Sequence, residues 1–96
     1  MNTEIKALHF EMNEDAKAYL GKKLDRIHNA EQMIVDLIIA IKKEKDFEAA
    51  ATVNFRWGDT IHVSENDFDI RAAIDKMIDK LEAKITKEKE KVKEKR

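Results

Sequence analysis

The chain has 96 residues, 43% hydrophobic and 41% charged, enough for one domain with a single core under a densely ionic surface. Its 19 basic and 20 acidic residues leave a formal net charge of -1, which does not by itself advertise a nucleic-acid binder. There is no cysteine, which excludes disulfides and thiolate metal sites, and the longest aliphatic run, residues 37–41, is far too short to span a bilayer.

The average conceals an asymmetry. Residues 1–67 carry 9 basic against 13 acidic groups, whereas residues 68–96 carry 10 against 7. From Lys84 onward there are 7 basic and 3 acidic residues, so the charge is polarised along the chain. No apolar stretch near Met1 reads as a signal peptide, and a soluble cytoplasmic protein is expected. Neither a linker nor an internal repeat interrupts the sequence. Residues 1–96 are therefore expected to form one domain, with 94–96 as a frayed tail.

Asn2–Phe10 is predicted as a first strand, with Ile5 and Ala7 on one face. Asn13 is a candidate N-cap, preceded by Met12 and followed by Glu14 and Asp15 in the first turn. Ala16, Leu20, Leu24 and Ile27 then recur at helical spacing, predicting a helix to about His28. Met33–Lys43 alternates as a half-buried strand, with Met33, Val35, Leu37, Ile39 and Ile41 inward and Asp36 and Lys42 outward. Phe47, Ala49, Ala51, Val53 and Phe55 alternate likewise. Gly58-Asp59 predicts a two-residue hairpin turn, because glycine tolerates the positive φ that such turns demand. Thr60–Ser64 is a short strand with Ile61 and Val63 inward, and Asn66 or Asp67 should cap a long helix running to about Lys93. The order is β-α-β-β-β-α. Three consecutive antiparallel strands need a cover, so the expected fold is α+β, with both helices on one face of a four-stranded sheet. Its open face would carry Asp36, Asn54 and His62.

The last helix is the informative element. At about 100° per residue, Ile70, Ile74, Met77, Ile78, Leu81, Ile85 and Val92 form one apolar stripe. Lys76, Lys80, Lys84, Lys87 and Lys91 fall on one flank of it, and Asp75, Asp79 and Glu82 on the other. Such a helix is commonly a solvated face with i,i+4 ion pairs. The alternative is a ladder that follows a phosphate backbone, since lysines one turn apart are spaced about 5.4 Å. Lys22, Lys23 and Arg26 flank the first helix in a similar way. Whether the two basic flanks meet is not decided by the sequence.

The run Asp69-Ile70-Arg71-Ala72-Ala73-Ile74-Asp75, followed by Met77-Ile78-Asp79-Lys80-Leu81, is very similar to the start of the last helix in the ribosome hibernation-promoting factor and protein Y family. Ile61-His62-Val63-Ser64, Ile5, Lys23-Leu24-Asp25-Arg26-Ile27 and the alternating Lys87, Lys89, Lys91 and Lys93 extend the resemblance over essentially the whole chain. The resemblance implies a fold related in outline to double-stranded-RNA-binding domains. It also implies binding to the small ribosomal subunit and its 16S-type RNA, in the channel that messenger RNA and transfer RNA occupy. The chain stops where short members of that family stop, and these lack the extra C-terminal dimerisation domain of long members, so a monomer off the ribosome is expected. Carried over, the RNA-contacting set is Lys23, Arg26, Lys80, Lys87, Lys89 and Lys91, to which the helical flanks add Lys22, Lys76 and Lys84.

Two positions depart from the family pattern. Arg71 stands where tyrosine is usual, and Ala83 where arginine is usual, with Lys84 beside it. Trp57 at the hairpin tip is also uncommon; it is expected either to cover the sheet edge or to stack on an exposed base. His9, His28 and His62 are scattered without ligand spacing, so no metal or other cofactor is expected. With glycine only at positions 21 and 58, neither a nucleophile elbow nor a phosphate-binding loop is possible. The expected function is non-enzymatic inhibition of translation by steric block, with no small-molecule substrate and no membrane. The alternatives are a general double-stranded-RNA module and a protein-interaction adaptor that uses the acidic flank of the last helix.

Overall fold

The computed structural model describes the backbone of residues 1–94 and the side chains of residues 1–91. The side chains of Val92 and Lys93, and the expected tail apart from the Glu94 backbone, lie outside the described residues. Strand β1 (Asn2–Leu8) leads to helix α1 (Glu14–Leu24), a run of 3-10 turns (Asp25–Met33), strands β2 (Ile34–Lys43), β3 (Phe47–Phe55) and β4 (Thr60–Asp67), and helix α2 (Ile70–Glu94). The order is β-α-β-β-β-α, as expected. The four strands lie in the order β1-β2-β3-β4, with β1 parallel to β2 and the other neighbours antiparallel.

Several boundaries differ from the sequence expectation, each for a local reason. Strand β1 stops at Leu8 instead of Phe10 because His9 takes φ 69°, a left-handed conformation that turns the chain toward α1. The Asn13 side chain caps α1 as expected, accepting from the Ala16 N–H at 2.8 Å. The α-helix ends at Leu24 rather than His28, and 3-10 turns carry Ile27 and Ala30 into the core. In β2 the inward set begins with Ile34, not Met33 and Val35. An irregularity in the β2–β3 register between Ile34 and Asp36 shifts the alternation, burying Ile34 and leaving Val35 exposed.

The β3–β4 hairpin has a three-residue loop, Arg56-Trp57-Gly58, rather than the two-residue turn predicted. The Gly58 N–H donates to the Phe55 carbonyl at 3.0 Å, and the Phe55 N–H to that of Asp59 at 2.9 Å. Gly58 has φ +95°, which is where the loop needs glycine. Strand β4 continues past Ser64 to Asp67, and the cap of α2 is Asp69, not Asn66 or Asp67. The Asp69 side chain accepts from the Arg71 N–H at 3.4 Å, and its carbonyl from the Ala73 N–H at 3.0 Å.

The core lies between one face of the sheet and the two helices. Leu37, Ile39, Ile41, Ala49, Ala51, Val53 and Val63 are buried from the sheet, Ala16 and Leu20 from α1, and Ala73, Ile74, Met77, Ile78, Leu81 and Ile85 from α2. Ala49 and Ala51 pair with Ile41 and Ile39, so small residues on the central strand make room beneath the helices. At one end Phe10 and Phe47 meet edge to face, with ring centroids 5.5 Å apart. The opposite sheet face is left open. There Asp36 accepts from Asn2 at 3.4 Å and from Asn54 at 3.3 Å, and Thr52 lies 2.9 Å from His62 Nδ1.

Candidate nucleic-acid interface

Helix α2 presents its two charged flanks to different neighbours. The acidic flank meets α1, where Lys23 Nζ lies 3.4 Å from Asp75 and Arg26 donates to Asp79 at 3.0 Å and also pairs with Glu82. The hydroxyl of Tyr19, one turn before Lys23, donates to Asp75 at 2.6 Å. That bond pushes the Tyr19 hydroxyl pKa up, because deprotonation would place an anion against a carboxylate. The Arg26 pKa is likewise raised, chiefly by its hydrogen bond to Asp79, so the group is held as a cation.

The lysine flank lies along β4. Lys76 pairs with Asp67 at 2.9 Å and donates to the Asn66 carbonyl at 3.3 Å, and Lys80 lies 3.4 Å from Glu65. Nearer the far end Lys91 lies 3.5 Å from Asp59. Glu65 and Asp67 can reach these lysines because they share the inward face of β4 with Ile61 and Val63. The Asp67 carboxyl is held below its ordinary range, first by the Asp69 N–H at 2.9 Å and then by Lys76. Lys84, Lys87 and Lys89 are exposed and have no ion-pair partner among the described residues, and the same is true of Lys22 on α1.

The structure thus answers what the sequence left open. The two basic flanks do not merge into one patch, because Asp75, Asp79 and Glu82 stand between them and hold Lys23 and Arg26. All nine predicted residues lie on α1 or α2 or at their ends. Five of them, Lys23, Arg26, Lys76, Lys80 and Lys91, carry an internal carboxylate partner.

Four side chains, Tyr19, Glu65, Asp67 and Glu88, take roles beyond those expected from the sequence. Tyr19 organises the seam between the helices, with the Arg71 guanidinium 5.1 Å and Lys23 Nζ 5.4 Å from its ring centroid. Its i,i+4 spacing from Lys23 was the available signal. Arg71, on the next helix, takes its place as a cation stacked on that ring. Glu65 and Asp67 continue the period-two pattern of Ile61 and Val63, which carries the strand beyond Ser64. Glu88 falls on the apolar stripe of α2, where it is buried and accepts from the Trp57 indole N–H at 2.8 Å. The Trp57 ring also stacks on Phe55, with centroids 5.0 Å apart and planes at 10°, so the ring covers the structure from the hairpin tip. Among the described residues no group of three or more His, Cys, Asp or Glu side chains could hold a metal, and no helix is long and apolar enough to cross a membrane.

The family described as sigma 54 modulation protein / S30EA ribosomal protein matches residues 3–93. The chain belongs to this family. A curated relative, the ribosome hibernation promoting factor of Pseudomonas putida, is 30% identical over 92 residues, covering 95% of this chain and 89% of the relative. Among solved structures, the N-terminal domain of Thermus thermophilus Protein Y superposes with TM-score 0.77 at 25% identity, covering 91% of this chain and 98% of that one. A ribosomal subunit interface protein from Coxiella burnetii superposes with TM-score 0.83 at 23% identity, covering 93% and 98%, which shows the shared fold.

Proposed function

We propose that this protein is a ribosome hibernation factor that binds the small ribosomal subunit in the channel used by messenger RNA and transfer RNA. Its body would fill that space and stop translation by steric competition, without chemistry, cofactor or small-molecule substrate. The cytoplasm is where such a factor meets its target. The observation that carries this reading is the match to a hibernation promoting factor over nearly the whole chain. The exposed cations Lys22, Lys84, Lys87 and Lys89 supply groups suited to the phosphates of 16S-type RNA. Lys23, Arg26, Lys76, Lys80 and Lys91 complete the proposed set, exchanging internal carboxylates for phosphates on binding.

The adaptor alternative would require a partner to displace cations of this chain from the flank it uses. Asp75, Asp79 and Glu82 on that flank already pair with Lys23 and Arg26.

Co-sedimentation with purified small subunits tests the reading. The protein should pellet with the subunits, and transfer RNA already bound in the P site should reduce that fraction. Addition to a purified translation system should inhibit initiation. Simultaneous, undiminished binding of the factor and P-site transfer RNA to one subunit would overturn the proposed site.

A further inference from the structure

Strand β1 forms one edge of the sheet, and all seven of its residues are exposed. Its pairing with β2 runs without interruption from Asn2 opposite Asp36 to Leu8 opposite Lys42. The strand therefore contains neither a bulge nor a proline, two of the devices that blunt sheet edges. Along its outer side an uninterrupted row of backbone donors and acceptors is available. A charge is a further safeguard, and Lys6 supplies one, but its Nζ already lies 3.5 Å from Glu4 on the same face of the strand.

The sequence of this edge is complementary to itself. In an antiparallel pairing about a two-fold axis at Ile5, Glu4 of one copy faces Lys6 of the other, and Lys6 faces Glu4. Thr3 faces Ala7, and Ile5 faces its own copy. On the open sheet face the four charges then alternate in sign, an arrangement that favours cross-strand pairing. On the other face Ile5, which is 47% exposed, would be covered. Beside it runs a groove of about 510 Å³ between β1 and the start of α1, lined by Ile5, Ala7, Phe10, Glu11, Met12 and Lys17. A second strand along β1 would close the open side of that groove.

We propose that two copies of this chain associate through their β1 edges, joining two four-stranded sheets into one. The contact is isologous, so the symmetry closes at a dimer. It replaces the expectation of a monomer off the ribosome. Strands β1 and β4 are opposite edges of the sheet, and α2 packs over β3 and β4. Pairing through β1 therefore leaves the lysine flank of α2 uncovered. The inference does not depend on the proposed ribosomal function, and its test uses no ribosomes.

Sedimentation velocity on the full chain, from about 10 µM to about 1 mM, should show a concentration-dependent monomer–dimer equilibrium. Glu4→Lys and Lys6→Glu each place like charges face to face across the axis. Each variant alone should weaken self-association by about tenfold or more. An equimolar mixture of the two should recover it, because a Glu4→Lys strand opposes a Lys6→Glu strand with opposite charges at both positions. Both side chains are more than half exposed, so unchanged thermal melts at low concentration should confirm intact folding. A wild type that stays monomeric throughout leaves the edge to a strand from another protein and overturns the proposal. Single variants that dimerise like the wild type, or a mixture that fails to recover, overturn it equally.

Discussion

The Arg26 guanidinium, in the 3-10 turns that follow α1, donates to the Asp79 carboxylate on α2 at 3.0 Å, fifty-three residues away in sequence. With Lys23–Asp75 and Arg26–Glu82 it forms an ionic seam that joins the two helices. The same two cations are candidates for RNA phosphates, so internal carboxylates and external phosphates compete for them. Replacing Asp75, Asp79 and Glu82 by Asn, Asn and Gln should therefore lower the thermal midpoint slightly, since exposed pairs contribute little. It should also strengthen binding to small subunits, by about threefold to tenfold at low salt. Weaker binding in a filter assay would instead mean that the carboxylates position the cations for RNA.

Trp57 is committed to the fold rather than free at the hairpin tip. Trp57→Phe should keep the stack on Phe55 and remove the donor to buried Glu88. The expected loss is about 1–3 kcal/mol in a urea titration, the range for leaving a buried polar group without its partner. Ribosome affinity of a folded Trp57→Ala variant, which removes the ring altogether, should change less than about twofold, because stacking on RNA would contribute more than that. A folded variant of unchanged stability that no longer binds would assign the ring to RNA instead.

The parts of this molecule legible in the sequence were those governed by one period within one element. The apolar stripe of α2 from Ile70 to Ile85, the inward residues of β3 and the Asn13 cap all follow from local spacing. The irregularity near Val35 was hidden because Met33, Val35 and Leu37 alternate perfectly on paper, and only the pairing with β3 reveals that Ile34 is buried. The burial of Glu88 is not legible from local spacing, since its partner Trp57 is thirty-one residues away. The segregation of the charged flanks of α2 was legible from helical spacing. Their partners were not, because opposing strands and helices decide which acid meets which lysine.

Acid should weaken the fold partly through Asp67. Its carboxyl is held below the ordinary range by the Asp69 N–H and by Lys76, which is in turn held as a cation. A lowered folded pKa contributes stability that is fully present above the ordinary carboxylate value of about 3.9. That contribution disappears as pH falls through the lowered value. Asp67→Asn should thus be less stable than the wild type at about pH 7 and indistinguishable from it at about pH 2 in urea titrations. A difference that persists in acid would assign the effect to turn geometry rather than to charge.

The final test separates cations that are free from those already paired. Lys84, Lys87 and Lys89 are exposed without an ion-pair partner among the described residues, whereas Lys76, Lys80 and Lys91 lie near Asp67, Glu65 and Asp59. A phosphate that meets a free lysine releases counterions at once. One that meets a paired lysine must first displace a carboxylate, so part of the electrostatic gain is offset. Replacing Lys84, Lys87 and Lys89 by glutamine should reduce the magnitude of the log-affinity versus log-salt slope by roughly 2–3 units. The same replacement of Lys76, Lys80 and Lys91 should reduce it by about 1 unit or less, and should also lower the thermal midpoint. Both variants change the net charge equally, so a difference between their slopes reports position and not overall charge. Equal slopes for the wild type and the Lys84, Lys87 and Lys89 variant would remove these three lysines from the ribosomal contact.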